Sequence, residues 1–439
     1  MTAPSMEPAE HARRRDILMA HVGEAGIAVI AAAPERPRNR DVQHPYRQDS
    51  DFLYLTGFNE PDAVAVLVPG RAQGQYVLFS RERDPQRETW EGRTIGQTAA
   101  VERYGADDAF PIDDIDEILP GLMEGREKLY CAMGADPDFD QRLIGWVNAL
   151  RAQARAGVKA PLEYVSLEHV VHEMRLIKSR AEIARMREAA RISAAAHERL
   201  LGVVRPGLKE YEIEAELLYD FRRHNGEPAY PTITGSGANA CVLHYIANDA
   251  ELQDGEMILI DAGVELGGYA ADITRTLPIN GRFTAEQRAI YDIVLAAQAA
   301  ALEHVRPGAH WNAGHEAATR VIAAGLVDLG LLEGDVDAVI EQGTYRPFFM
   351  HRTGHWLGMD VHDVGDYKVD GHWRELEPGM VLTVEPGLYI PPGSPVDERW
   401  QGIGVRIEDN CVVTKSGHEN LTEAMPKDPQ VIEAAMAQR

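Results

Sequence analysis

The feature that most constrains the fold of this chain is a set of four acids in its C-terminal half. Each acid ends or interrupts a short apolar run rich in Ile, Leu and Val, which is the pattern of a buried strand. A carboxylate in such surroundings is costly unless its charge is compensated, and several of them without basic partners indicate a metal site. The four acids are Asp261, Asp272, Glu385 and Glu408.

The first two acids lie on two predicted strands, 257–264 and 269–277, joined by Glu-Leu-Gly-Gly at 265–268. If the hairpin is centred between Leu266 and Gly267, Asp261 faces Asp272 directly, with Cβ atoms about 4.5–5.5 Å apart. Two carboxylates that close cannot both stay ionised without a cation. The alternative is a surface hairpin with two solvated aspartates, but the apolar neighbours favour the metal.

Three histidines follow within twelve positions, at His351, His355 and His362. Gly354 and Gly358 disfavour a helix there, so we expect an irregular loop. His355 is the predicted imidazole ligand. Four carboxylates and one imidazole suit two divalent ions, and Mn²⁺, Co²⁺, Fe²⁺ and Zn²⁺ are all compatible with this donor set. Two such ions, about 3.5–4 Å apart, are used in hydrolysis by aminopeptidases and phosphatases.

The bulk composition excludes several classes of partner. A net charge of −25 argues against nucleic acid and against an anionic membrane surface. Three widely separated cysteines form no disulfide framework and favour a reducing compartment. No signal peptide or membrane span is expected, so the predicted location is the cytoplasm.

The predicted fold class is α+β in two domains, 1–174 and 175–439. The first domain alternates short apolar strands with helices, which indicates an α/β domain. In the second, helices are predicted at 209–225, 284–304, 311–329 and 335–341, and strands at 257–264, 269–277, 380–390 and 403–414. The run 255–263 resembles the run 379–387, with Asp261 and Glu385 at the same offset, so we expect two half-domains that place their acid pairs opposite each other.

At these residues the chain resembles the pita-bread metallopeptidases, and most of all the bacterial aminopeptidase P family. The matching motifs cover nearly the whole chain. They are PYRQDSDF at 45–52, TGFNEP at 56–61, IDAG at 260–263, ADITRT at 271–276, HWLG at 355–358, VEPGLY at 384–389 and GVRIED at 404–409. The resemblance implies a pita-bread catalytic domain that uses two metals to release the N-terminal residue from peptides with proline in second position.

The resemblance also implies a role for each matched residue. Asp261 would bind one metal, Asp272 and Glu408 would bridge both, and His355 and Glu385 would bind the other. Glu385 would also be the general base. His351 and His362 would steady the substrate carbonyl and the tetrahedral intermediate, and His244 would lie near the leaving side. Three further residues would line or brace the substrate site, namely Arg406, Tyr389 and Trp90, the last inserted by a neighbouring subunit of a homotetramer or homodimer.

Each of these last assignments has a simpler alternative. His244 can be a core histidine bonded to a carbonyl, Arg406 a structural partner of Asp261, Tyr389 a core residue and Trp90 a buried aromatic. Two other functions also remain open at this stage. They are a prolidase restricted to Xaa-Pro dipeptides and a non-catalytic peptide-binding relative that has lost its metal ligands.

Overall fold

The computed structural model of the chain describes residues 6–438, which divide into two compact units at residues 174 and 175. The helices of the first unit are α1 (Pro8–Val22), α2 (Ser50–Thr56), α3 (Pro85–Glu91), α4 (Gly96–Tyr104), α5 (Ile115–Met123) and α6 (Pro137–Ala152), and α7 (Glu168–Leu176) spans the division. Its strands are β1 (Gly26–Ala31), β2 (Pro37–Asn39), β3 (Val42–Gln43), β4 (Val64–Leu67), β5 (Tyr76–Ser80), β6 (Asp108–Pro111), β7 (Lys128–Cys131) and β8 (Glu163–Ser166).

The first unit is built on a six-stranded sheet in the order β6-β5-β4-β1-β7-β8. Strands β4 and β5 are buried along their whole length, because both faces of the sheet are covered. Apolar side chains of α5 and α6 join the sheet in one core, which includes Leu119, Trp146 and Val147. The predicted alternation of strands and helices is therefore present in this unit.

The second unit contains the helices α8 (Arg180–Leu200), α9 (Glu210–Arg223), α10 (Ala285–Leu302), α11 (Ala313–Asp328), α12 (Val336–Gln342) and α13 (Pro429–Met436). Its strands are β9 (Glu227–Pro228), β10 (Ile233–Ser236), β11 (Met257–Asp261), β12 (Val264–Leu266), β13 (Tyr269–Ala270), β14 (Thr274–Pro278), β15 (Lys368–Val369), β16 (His372–Trp373), β17 (Val381–Val384), β18 (Gly387–Ile390), β19 (Ile403–Arg406), β20 (Asp409–Val413) and β21 (His418–Asn420). The four predicted helices coincide with α9 to α12. Ser179 and Glu182 form a capping box at the start of α8.

Each of the four long strands predicted for this unit is broken in two. The segment 257–264 becomes β11 and β12, and the segment 380–390 becomes β17 and β18, each pair in different sheets. The break brings backbone segments so close that a Cβ on Gly263 would lie 1.7 Å from the Ala271 carbonyl oxygen, so only glycine fits there. A change of sheet, which apolar periodicity does not reveal, explains why the strands were predicted as continuous.

The weak sequence repeat corresponds to a repeated pairing pattern. In the first half β11 pairs with β14 and β12 pairs with β13. In the second half β17 pairs with β20 and β18 pairs with β19 in the same antiparallel manner. Each half is thus a bent hairpin, and the acids sit at its bends.

Candidate metal centre

The four acids lie at the four strand breaks. Asp261 is the last residue of β11, Asp272 lies between β13 and β14, Glu385 between β17 and β18, and Glu408 between β19 and β20. At a break the backbone no longer alternates strictly between faces, so each carboxylate can turn toward a common point. One ligand atom each from Asp272, His355 and Glu408 lie within 4.8 Å of one another.

The predicted register of the first hairpin is wrong by two residues. Asp261 pairs with Thr274, and the turn is centred between Gly267 and Gly268 rather than between Leu266 and Gly267. Both of these glycines have positive φ, at 60° and 82°, which a two-residue turn of this kind requires. A shift of two residues keeps the side-chain face, so Asp261 and Asp272 still converge.

Tyr230 joins these two aspartates, and the sequence analysis missed it. Its hydroxyl oxygen lies 2.6 Å from Asp261 Oδ1 and 2.5 Å from Asp272 Oδ1. Burial raises the pKa of Tyr230 well above its ordinary value, and the two carboxylates act in the same direction, so the phenol stays protonated. Its single proton can serve one carboxylate only, which leaves the other in need of a cation or a proton. A tyrosine before Pro231 is a weak sequence signal.

Arg406 is a buried cation beside the acids. Its Nη2 donates to Asp261 Oδ2 at 2.6 Å, and its Nη1 donates to the Tyr389 hydroxyl at 3.0 Å. The Tyr389 hydroxyl in turn lies 2.9 Å from His351 Nε2. His351 Nδ1 faces the Arg352 carbonyl oxygen at 2.7 Å, so that nitrogen carries the proton and Nε2 accepts from Tyr389. The structural pairing of Arg406 with Asp261 is therefore present.

His355 lies in an irregular segment, as predicted, and backbone hydrogen bonds to β17 hold it there. The Thr383 N–H donates to the His355 carbonyl oxygen at 3.0 Å, and the His355 N–H donates to Thr383 Oγ1 at 3.1 Å. A Cβ on Gly354 would lie 2.1 Å from the Thr383 carbonyl oxygen, so glycine permits this close approach. His355 Nδ1 donates to the Trp356 carbonyl oxygen at 2.8 Å, which leaves Nε2 free to face the acids.

The electrostatics of the cluster are those of a site that needs cations. His355 Nε2 lies 3.3 Å from Asp272 Oδ2 and 3.5 Å from Glu385 Oε1. Burial alone would lower the pKa of His355, but these carboxylates raise it to about 9. Burial raises the pKa of Glu385 to about 7 and that of Glu408 well above its ordinary value. The four acids are thus balanced by Arg406, the His355 imidazole and protons, and two divalent ions would supply positive charge in place of the protons.

Neighbouring polar groups orient the carboxylates. Thr274 Oγ1 donates to Glu408 Oε2 at 2.6 Å, and Thr383 Oγ1 donates to Glu385 Oε1 at 3.2 Å. The Asp272 N–H donates to Asn410 Oδ1 at 3.0 Å. These partners fit a metal centre, since ligating carboxylates are commonly held by hydrogen bonds of this kind. Thr274 lies two residues after Asp272, so strand periodicity could have placed it on the same face.

A cavity of about 1060 Å³ opens onto this cluster, and all of its lining residues belong to the second unit. All five predicted ligands line it, as do all three predicted catalytic histidines. His244 is exposed at this cavity, so it is not a core histidine. His362 packs edge to face on His355, with ring centroids 4.3 Å apart.

Two residues predicted to contact substrate lie elsewhere. Tyr389 is fully buried and braces Arg406 and His351 from behind the cavity wall, so a direct substrate contact is replaced by a supporting one. Trp90 lies on α3 in the first unit and is 89% exposed, so it is no buried aromatic, and it does not line the cavity. Its insertion by a neighbouring subunit stays a prediction.

Comparison with known proteins identifies the family. The model for metallopeptidase family M24 matches residues 184–415, and the model for the aminopeptidase P N-terminal domain matches residues 11–130. The chain belongs to metallopeptidase family M24. The Xaa-Pro aminopeptidase of Escherichia coli is 48% identical, over 97% of both chains.

Solved structures of the M24 family agree with this assignment. The Pseudomonas aeruginosa aminopeptidase PepP superposes with a TM-score of 0.98 at 59% identity, over 99% of both chains. A zinc-substituted E. coli aminopeptidase P in complex with product has a TM-score of 0.97 at 48% identity, also over 99% of both chains. The chain is therefore a metallopeptidase with an aminopeptidase P N-terminal domain and a pita-bread catalytic domain, as the motifs predicted.

Proposed function

We propose that this metallopeptidase is a Xaa-Pro aminopeptidase, which releases the N-terminal residue from peptides with proline in second position. The observation that carries the proposal is the cavity, whose wall combines three buried carboxylates and one partly buried carboxylate with one oriented imidazole and three further histidines. The similarity of this chain to proteins named Xaa-Pro aminopeptidase extends over nearly its whole length. A non-catalytic relative that has lost its metal ligands does not fit, because all five predicted ligands are retained.

The proposed cofactor is a pair of divalent ions, with Mn²⁺ as the first choice. Asp261 would hold one ion, His355 and Glu385 the other, and Asp272 and Glu408 would contact both. Bound ions of this kind polarise a peptide carbonyl and activate water for attack. The oxygen-rich donor set with one imidazole supports manganese, while cobalt, zinc and iron remain chemically compatible.

The side chains around the ligands would handle protons and hold the substrate. Glu385 is the proposed general base, because its carboxylate lies in the cavity wall and Thr383 orients one of its oxygens. His362 and His351 would stabilise the oxygen of the scissile carbonyl as negative charge develops on it. To donate from Nε2, His351 must move its proton from Nδ1, or gain a second one. His244, at the exposed side of the cavity, would serve the leaving proline nitrogen.

The organisation of the whole protein is part of the proposal. Residues 175–439 would form the catalytic domain and residues 1–174 an N-terminal domain, in a homotetramer or homodimer located in the cytoplasm. A free thiol at each of the three cysteines supports a reducing compartment. Within residues 6–438, no helix combines the length and apolarity that crossing a membrane requires. Light scattering after size-exclusion chromatography tests the assembly, and a monomer at micromolar concentration would contradict it.

The decisive assay compares Xaa-Pro dipeptides with Xaa-Pro-Xaa tripeptides, with added Mn²⁺ and with chelator. We expect metal-dependent release of the first residue from tripeptides. Cleavage restricted to dipeptides would indicate a prolidase instead. Glu408→Gln should lose activity and bound metal together, whereas Glu419→Gln, a surface acid paired with Arg187, should change neither. Full activity of a metal-free preparation would refute the proposal.

A further inference from the structure

Glu210 is a buried carboxylate that the proposed chemistry does not use. It is the first residue of α9 and has no exposed surface. Within the described residues 6–438 no lysine or arginine forms an ion pair with it. A buried charge without a counter-ion persists only where hydrogen bonds satisfy it.

Five hydrogen bonds satisfy this carboxylate, and all five come from one stretch of chain. Oε1 accepts from the Ser236 N–H at 2.7 Å, from Ser236 Oγ at 2.7 Å and from Asn239 Nδ2 at 3.1 Å. Oε2 accepts from the Tyr245 hydroxyl at 2.8 Å and from the Ala250 N–H at 3.0 Å. The donors therefore bracket the segment 240–249 and also contact its middle.

That bracketed segment forms one wall of the cavity. Leu243, His244 and Ile246 line it. Residues 245–249 have no regular secondary structure, and His244 and Ile246 are exposed. Two polar anchors hold this segment in place, namely the Glu210 carboxylate and the buried side chain of Asn248, which accepts from the Thr234 N–H and donates to Glu214 and to the Thr232 carbonyl oxygen. Burial raises the pKa of Tyr245 to about 12, and Glu210 acts in the same direction, so this phenol remains a donor.

We propose that Glu210 is a positioning residue, whose carboxylate fixes the segment 236–250 and thereby places His244 against the substrate. This rests on the proposed function, since it assumes that His244 acts on a bound peptide. The negative charge is favourable at the start of α9, where the positive end of the helix dipole lies. Glu210 touches no substrate itself and acts through the geometry of the segment.

The test is Glu210→Gln, which keeps the shape but replaces one acceptor oxygen by a donor amide. Whichever way the new amide is turned, its NH₂ group faces hydrogen-bond donors, and the Ala250 N–H cannot act as an acceptor. We expect kcat/KM on Xaa-Pro-Xaa tripeptides to fall about 10-fold or more, the size associated with losing charged hydrogen bonds. The metal content should stay unchanged. Amide hydrogen exchange in 242–249 should become faster.

A double variant separates positioning from a general structural effect. If Glu210 acts through His244, Glu210→Gln combined with His244→Ala should be no slower than His244→Ala alone. Losses that multiply would overturn the proposal, and so would activity of Glu210→Gln within twofold of wild type. The matched control is Asp220→Asn, also a buried acid of α9, which pairs with Arg199 and makes no contact with 236–250. Its activity should stay within twofold of wild type.

Two further measurements keep the proposal falsifiable. If Glu210→Gln does not fold, Tyr245→Phe removes one of the five hydrogen bonds and enters the same double-variant comparison. If the wild-type protein cleaves no Xaa-Pro peptide, the proposed function fails, but hydrogen exchange in 242–249 still tests the anchor. In that case, hydrogen exchange in 242–249 that is the same in Glu210→Gln as in wild type would overturn the positioning role. If Glu210→Gln does not fold, the same comparison is made with Tyr245→Phe.

Discussion

Asp363→Asn should destabilise the second unit, because Asp363 is the centre of a buried ion cluster. Its Oδ1 accepts from Arg175 at 2.6 Å and its Oδ2 from Lys178 at 2.7 Å. The side chains of Asp363 and Lys178 are both 1% exposed. A Cβ on Gly358 would lie 2.1 Å from Asp363 Oδ2, so the chain makes room for this pair. The cluster holds the segment that carries His362.

The magnitude follows from what each cation retains. In the variant, Arg175 keeps its second partner Asp360, which lies 2.7 Å away and has a side chain that is 42% exposed. Lys178 loses its carboxylate partner. Removing one partner of a buried pair costs about 3–5 kcal/mol, because it leaves an uncompensated charge. In a unit of this size each kcal/mol of lost stability lowers Tm by about 2–4 °C, so Tm should fall by roughly 6–20 °C.

Thermal and urea unfolding at neutral pH measure this change. The matched control is Asp292→Asn, whose partner Arg288 lies one helical turn away on the surface of α10. That variant should cost less than about 0.5 kcal/mol. Adding Lys178→Met to Asp363→Asn should recover much of the loss, since it removes the unpaired cation. An Asp363→Asn loss below about 1 kcal/mol would refute the reasoning, since buried pairs cost more when broken.

The pH dependence gives an independent check of the same cluster. Burial would raise the pKa of Asp363, but Lys178 and Arg175 lower it below its ordinary value. A lowered folded-state pKa contributes stability above the unfolded pKa of about 3.9, and this stability is lost as pH falls below it. The difference between wild type and Asp363→Asn should therefore shrink below about pH 4. A difference that stays constant down to pH 3 would contradict this.

Three further predictions concern the metal centre itself. Gly354→Ala places a Cβ 2.1 Å from the Thr383 carbonyl oxygen and should weaken metal binding about 10–100-fold, because it displaces His355. The control Gly417→Ala adds a Cβ that meets nothing within 4 Å and should leave metal binding unchanged. Equal metal affinities of the two variants in a titration would contradict this. Tyr389→Phe leaves Arg406 and His351 short of a partner and should cost about 1–3 kcal/mol in urea unfolding, so a neutral result would refute the bracing role. Chelation should lower Tm, and Mn²⁺ at about 100 times its Kd should restore roughly 2.7 kcal/mol, whereas a Tm indifferent to metal would argue against binding to the folded state.

The sequence predicted which acids lie together at one cavity, because their signal is local. A charge at the end of an apolar run is conspicuous wherever the run folds, and a glycine two residues after Asp261 and after Glu385 marks a sharp change of direction. The helices α9 to α12 were equally predictable, since capping residues and apolar spacing are short-range features. The motifs then identified the family, because they combine these local features in one order.

Only the tertiary structure decided how the site is assembled. The register between Asp261 and Asp272 depends on which glycines enter the turn, and a two-residue shift leaves the apolar pattern unchanged. Tyr230 and Glu210 act through partners that lie 26 to 42 positions away in the chain, at separations that no periodicity encodes. The sequence by itself determined which groups bear charge in an apolar setting, and the packing of two bent hairpins determined which of them meet.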